Sequence, residues 1–191
     1  NPYSAYPKVA LNNLSLKVDE GDFVCIMGAS GSGKTTLISI MSTIDDATNG
    51  KIIIGNKNIA TMNENEKSKM RKNEIGFIFQ NYNLIDSLRI KDNILFSLRL
   101  NKINKEEQIE KLNKLSKQLG IEEILDKYPS QCSGGQQQRA AIARALIMEP
   151  KIIFADEPTG NLDSKTSAEV LGLMRKVVTE KNQTMVMVTH D

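Results

Sequence analysis

Apolar residues crowd into four short runs. These are Phe23-Val24-Cys25-Ile26-Met27, Ile75-Gly76-Phe77-Ile78-Phe79, Ile152-Ile153-Phe154-Ala155 and Met185-Val186-Met187-Val188-Thr189. Each has the length and composition of a buried strand. Between them the apolar period widens, which predicts helices over residues 34–44, 64–72, 90–100, 105–119 and 164–180, and another from Ser133 onward. In the helix over 105–119, Ile109, Leu112, Leu115 and Leu119 share one face, read as core packing. In the helix over 164–180, Val170, Leu173, Met174, Val177 and Val178 are expected to point inward. Residues 14–18 alternate and predict a strand, and residues 50–55 predict another around Ile52-Ile53-Ile54. These two are expected to form a small antiparallel layer beside a mainly parallel sheet, in an α/β fold.

The loop after the first run carries the most specific chemistry. It reads Gly28-Ala29-Ser30-Gly31-Ser32-Gly33-Lys34-Thr35-Thr36, a glycine, four residues, then Gly-Lys-Thr, between a predicted strand and a predicted helix. Glycines let the backbone curl around a pyrophosphate with its N–H groups inward. The helix start after Gly33 adds unpaired N–H groups and the positive dipole end. Lys34 supplies charge to the β- and γ-phosphates, and the Thr35 hydroxyl suits Mg²⁺. Kinases, GTPases and many ATPases share such a loop, so other residues must choose among them.

Those residues stand at other element ends. The third apolar run ends in Asp156 and Glu157, suited to Mg²⁺ and to polarising a water as general base. Gln80, closing the second run, is in reach of Mg²⁺ or that water, or is an ordinary polar strand end. Ser133-Gly134-Gly135-Gln136 opens a helix, with Ser133 as its N-cap and two glycines leaving the N–H groups uncovered for a phosphate. Asn161-Leu162-Asp163 follows a turn at Pro158-Thr159-Gly160; Asp163 is read as setting the geometry of a partner subunit. His190, the sole histidine, ends the fourth run, where it could meet a γ-phosphate and steady Glu157.

In this order the residues resemble the ATP-binding subunit of ABC transporters: a Walker A loop over 28–36, a Q-loop at Gln80, a signature over 132–137, a Walker B strand ending in Asp156 and Glu157, a D-loop over 161–163 and a switch His190. The resemblance covers essentially the whole chain. Ala155-Asp156-Glu157-Pro158-Thr159-Gly160-Asn161-Leu162-Asp163-Ser164 is similar to the branch of macrolide exporters, lipoprotein-release ATPases and peptide-antibiotic transporters. Residues 75–88, with Lys91-Asp92-Asn93-Ile94-Leu95, look most like bacitracin-type ATPases. Cys132 stands where the family usually has leucine, and Thr35 where serine is commoner.

The resemblance implies a P-loop NTPase core with a mainly parallel sheet, a small antiparallel β layer and an inserted α-helical subdomain. The core would comprise residues 1–81 and 150–191, and the subdomain residues 82–149. It implies ATP and Mg²⁺ as ligands, with Thr35, Gln80 and Asp156 at the metal and Glu157, His190 and Gln80 catalytic. The nucleotide would touch residues 28–36 of one copy and Ser133, Gly134, Gly135, Gln136 and Asp163 of a second, in a head-to-tail dimer. An aromatic before the Walker A loop stacks on adenine in the family, with Tyr3 and Tyr6 as candidates. The other expected partner is a membrane permease, at the cytoplasmic face of a bacterial plasma membrane. Tyr82, Leu84, Ile85 and Leu88 read equally as a groove for that permease or as subdomain core. Against the family pattern, the sequence looks clipped at both ends.

Composition narrows the alternatives. The chain has 191 residues, a net charge of +2 and two cysteines. That size allows one ordinary core, and the charge argues for no nucleic-acid partner. No run approaches the ~20 apolar residues of a membrane span. Cys25 and Cys132 read as reduced residues, Cys25 within a buried strand. The interval between the phosphate loop and Ser133 is too short for the coiled coil of chromosome-type relatives. A cell-division regulator acting through a membrane partner remains open, and intact Glu157, Gln80 and His190 argue against a module that binds ATP without cleaving it.

Overall fold

A computed structural model describes residues 9–190. Its sheet contains β1 (Phe23–Met27), β4 (Ile75–Ile78), β5 (Ile152–Asp156) and β6 (Thr184–Thr189), ordered β1-β6-β5-β4 with every pair parallel. The helices are α1 (Lys34–Met41), α2 (Glu64–Asn73), α3 (Ile90–Leu100), α4 (Lys105–Leu119), α5 (Gly134–Leu146) and α6 (Ser164–Glu180). Parallel strands need long crossovers, which these helices supply. β6 and β5, at the centre, carry the continuous apolar runs, and Ile153, Phe154, Val186 and Val188 are buried. Hydrophobic pattern, strand direction and position in the sheet therefore agree.

Register decides what the sheet can do. Met27 pairs with Thr189, Val188 with Asp156, and Ala155 with Ile78. The carboxyl ends of all strands thus finish at one level. The loop after Met27, the acids at 156 and 157, His190 and the turn containing Gln80 all emerge at that edge. Outside the carboxyl ends of parallel strands is where open α/β sheets bind ligands.

Between β4 and β5 the chain runs through α3, α4 and α5. Ile94, Leu98, Leu112, Leu115, Leu119, Ile142 and Leu146 join Ile78, Ile153 and Met174 in one buried cluster. Fully burying such a side chain is worth roughly 1.5–3 kcal/mol. α5 presents Ala140, Ala141, Ala143 and Ala145 inward, and these small residues let it lie close to β4. A Cβ on Gly76 would stand 2.7 Å from the Ala145 carbonyl oxygen, so the contact needs glycine there. Local signals set the helix ends: Asn104 caps α4, whose end is turned by left-handed Gly120, and Asn63 with Glu66 closes a capping box on α2.

Four expectations need correction. Residues 14–18 form no strand; no strand among the described residues ladders with them, and Leu14 and Leu16 are exposed. The antiparallel layer instead comprises β2 (Ile53–Ile54) and β3 (Lys57–Asn58), a short hairpin. β1 is an edge strand among the described residues and only partly covered, so Cys25 and Met27 face outward rather than lying buried. In α4 the inward face is Gln108, Leu112, Leu115 and Leu119, while Ile109 is exposed. Helix phase puts Gln108 in line with Leu112, Leu115 and Leu119, and its buried amide is satisfied by Nε2 donating to the Ile103 carbonyl at 2.7 Å. α1 also ends earlier than expected, at Met41, where Thr43 turns left-handed.

Candidate functional site: a phosphate loop facing two acids

The loop between β1 and α1 needs glycine at two places where backbone twist is reversed, Gly31 (φ 78°) and Gly33 (φ 91°). Gly33 is also the N-cap of α1, with no side chain capping the first turn. The leading N–H groups of α1 are therefore left for an anion. Ala29, Ser30, Gly31, Ser32 and Thr35 are exposed, and Gly28, Gly33 and Thr36 partly covered. Lys34 is buried to 8% exposure, and its Nζ donates to the carbonyls of Gly28 (2.6 Å) and Ala29 (3.0 Å). Its charge is thereby held against the loop.

Across from this loop stands Asp156, at the tip of β5. Thr35 Oγ1 donates to Asp156 Oδ1 at 3.4 Å, joining α1 to the acid strand. Partial burial raises the Asp156 pKa; the Thr35 hydrogen bond opposes that rise and neighbouring Glu157 adds to it. A desolvated carboxylate beside a hydroxyl is an oxygen pair suited to a hard divalent cation. Glu157 leaves the strand in the left-handed region (φ 43°) while its N–H donates to the Val188 carbonyl at 2.9 Å. Its Oε2 lies 3.1 Å from Nδ1 of His190. A side chain so constrained in an unfavourable backbone region is often functional.

Gln80 does not stand alone at the strand end. Its Nε2 would be 2.8 Å from a Cβ on Gly160, so its amide lies against the turn that follows Glu157. Asn161 Nδ2 donates to the Gln80 carbonyl (3.1 Å) and to Asn81 Oδ1 (2.9 Å).

Ser133, Gly134, Gly135 and Gln136 belong to a different group. Ser133 Oγ accepts from Gln136 N–H at 3.3 Å, and Gln136 Oε1 accepts from Ser133 N–H at 3.0 Å, a capping box on α5. The space a Cβ would take on Gly134 is met by the Tyr82 hydroxyl (3.0 Å) and Leu162 Cδ2 (3.3 Å). On Gly135 it is met by Thr166 Cγ2 at 2.7 Å. The glycines thus allow close packing as well as exposing N–H groups. Asp163 caps α6: its Oδ1 accepts from Thr166 N–H (3.0 Å) and its Oδ2 from the Thr166 hydroxyl (2.6 Å). These bonds, the side-chain one foremost, hold its pKa below the ordinary carboxylate value.

Arg144 completes this group and was not singled out from the sequence. It donates to the Tyr82 carbonyl at 2.7 Å and to the Asn83 carbonyl, at two successive left-handed residues (φ 59° and 48°). Burial lowers its pKa. The available signal was a guanidinium inside the otherwise small, apolar stretch 140–146. Of the residues read as groove or core, Tyr82 packs on Gly134, Leu84 packs against the core, and Ile85 is exposed. Cys132 also packs against the core, and burial raises its thiol pKa. Tyr3 and Tyr6 lie outside the described residues.

A glycine loop at a helix start, facing an Asp-Glu strand tip with a histidine on the glutamate, defines a nucleoside-triphosphate hydrolase. Residues 11–160 match the family model described as ABC transporter, and the chain belongs to that family as an ATP-binding, ATP-hydrolysing cassette. It is 50% identical over 181 residues to the bacitracin export ATP-binding protein BceA of Halalkalibacterium halodurans, spanning 95% of this chain and 72% of that protein. It is 44% identical over 181 residues to the lipoprotein-releasing system ATP-binding protein LolD of Rickettsia bellii, spanning 95% of this chain and 80% of that protein. Among solved structures, the dimeric ATP-binding cassette MJ0796, in a post-hydrolysis state bound to ADP and Pi, superposes with a TM-score of 0.86 at 41% identity. That match covers 95% of this chain and 80% of the other.

Proposed function

We propose that this chain powers a membrane permease by ATP-driven, head-to-tail pairing of two cassettes. The observation that carries the reading is the separation of two phosphate-suited helix starts. α1 opens at the loop that faces Asp156. α5 opens against Tyr82, Leu162 and Thr166. Two copies placed head to tail would bring the α1 start of one to the α5 start of the other, with a nucleotide between. The solved relative that is a dimer bound to ADP and Pi is consistent with pairing of two cassettes.

In this reading residues 28–36 wrap the phosphates, and Lys34 exchanges its loop carbonyls for phosphate oxygens. Gly134 and Gly135 offer N–H groups to the terminal phosphate on the neighbouring copy, with Ser133 and Gln136 holding the helix start. Asp163, fixed as the cap of α6, borders that site. Thr35, Asp156 and Gln80 would hold Mg²⁺, which supplies charge neutralisation on the phosphate oxygens. Glu157 takes a proton from the attacking water, and His190 keeps its carboxylate in place. Residues 1–81 and 150–191 act as the core and 82–149 as the subdomain carrying the α5 site. A stacking aromatic upstream, Tyr3 or Tyr6, completes the nucleotide contacts.

The cargo reading rests on relatives. Similarity to a bacitracin export protein favours antimicrobial-peptide or drug export or resistance, with the chain on the cytoplasmic face of a bacterial plasma membrane. No helix among the described residues is long and apolar enough to cross a membrane. The decisive experiment is Glu157→Gln in the full-length protein, followed by sedimentation and phosphate release. ATP should trap a dimer while hydrolysis nearly disappears. A wild-type protein that hydrolyses ATP as a strict monomer, indifferent to Ser133→Ala, overturns the pairing.

A further inference from the structure

The turn after β4 is gripped from two sides. From α5, Arg144 donates to the Tyr82 and Asn83 carbonyls. From the turn after Glu157, Asn161 donates to the Gln80 carbonyl and the Asn81 side chain. Next to Asn161, Gly160 is so close to Gln80 that a Cβ would stand 2.8 Å from its amide nitrogen. The residues between Glu157 and Asn161 form a tight turn, with Gly160 N–H donating to the Glu157 carbonyl at 3.0 Å. A displacement of Asn161 is therefore passed to Glu157 over a short, hydrogen-bonded path.

We propose that Asn161 is a positioning residue for hydrolysis, whose side-chain amide ties the loop bearing Glu157 to the loop bearing Gln80. Arg144 fixes the far end of the second loop, so the amide bonds to an anchored turn. The geometry sets where Gln80 stands relative to Glu157 in every turnover. Asn161 and Asn81 are themselves exposed, so their pairing serves placement rather than core cohesion. The proposal rests on the ATPase reading above and deepens it.

The test is a double-mutant cycle in the full-length protein with Asn161→Ala, Asn81→Ala and both together. ATP hydrolysis and melting temperature are measured for each. Asn161→Ala should lower kcat about tenfold, within the range a small misplacement of reacting groups costs. KM for ATP should stay within about twofold, because the phosphate loop is untouched. Asn81→Ala should cost less, since Asn161 keeps the Gln80 carbonyl. The double variant should match Asn161→Ala alone, because the Asn81 bond runs through Asn161. An unchanged kcat in Asn161→Ala, or losses that multiply in the double variant, overturns the proposal. Should Asn161→Ala fail to fold, Asn161→Asp decides, since it keeps the shape but loses the donor to the Gln80 carbonyl: wild-type kcat there also overturns the proposal. A wild-type protein without ATPase activity would sink the broader functional reading instead, so the two failures are distinguishable.

Discussion

Nδ1 of His190 lies 3.1 Å from Oε2 of Glu157, across the seam between β6 and β5. The contact exists because Glu157 turns left-handed directly after the strand, while its N–H still bonds the Val188 carbonyl. A base held this way needs no search for its orientation. His190→Ala should lower kcat by about 10²-fold, a typical loss for a disturbed general base. KM for ATP should change little. Steady-state hydrolysis checks this, and an equal fall in affinity would mean that His190 mainly binds nucleotide.

Asp156 predicts a conflict between stability and activity. Its folded pKa is raised, chiefly by burial. For an acid raised in the folded state, the native form binds its proton more tightly than the unfolded chain. The ionised group therefore costs stability, and the cost appears as pH climbs from the unfolded pKa through the folded one. At pH above the folded pKa, Asp156→Asn should raise the melting temperature of the nucleotide-free protein, and the gain should vanish in acid below the unfolded pKa. Hydrolysis of Mg-ATP should be lost. Calorimetry at two pH values reads the first effect and phosphate release the second.

Lys34 is held by the carbonyls of Gly28 and Ala29 with little exposure. Lys34→Ala should weaken ATP binding at least tenfold, about 1.4 kcal/mol or more, while circular dichroism keeps the same helix content. Fluorescent-nucleotide titration measures it. Wild-type affinity would place the phosphate site elsewhere.

Gly76 tests the close seat of α5 on β4. A methyl there collides with the Ala145 carbonyl oxygen at 2.7 Å, and with Pro150 at 3.0 Å. Gly76→Ala should destabilise the protein by about 1–3 kcal/mol, the usual cost of overpacking. Urea unfolding of the full-length protein gives the value. An unchanged midpoint would mean that α5 can shift outward without penalty.

Much of this was legible beforehand because local and global signals coincide. The runs ending at Met27, Asp156 and Thr189 declare themselves by composition, and the glycine loop declares its chemistry by spacing. Residues 14–18 misled because alternation shows that a segment suits a strand, without naming a neighbour to bond. Cys25 misled because an apolar run looks the same at the centre and at the edge of a sheet. Ile109 misled because hydrophobicity was followed over phase: the 4-3-4 spacing of Gln108, Leu112, Leu115 and Leu119 puts the polar residue inside, where its amide donates to the Ile103 carbonyl. The grip of Arg144 on Tyr82 and Asn83 joins residues some sixty positions apart. Only the folded chain brings them together.

A methyl on Gly135 would meet Thr166 Cγ2 at 2.7 Å, and one on Gly134 would press on Tyr82 and Leu162 at 3.0 and 3.3 Å. An alanine at Gly135 therefore disturbs packing as well as any phosphate contact, so the two effects are mixed in one variant. Ser133, whose side chain is exposed and free of that crowding, is the cleaner probe once the loss of its cap on α5 is measured by thermal unfolding. The tight seat also couples positions in drift over generations: a side chain at Gly135 is best accommodated where residue 166 has become smaller.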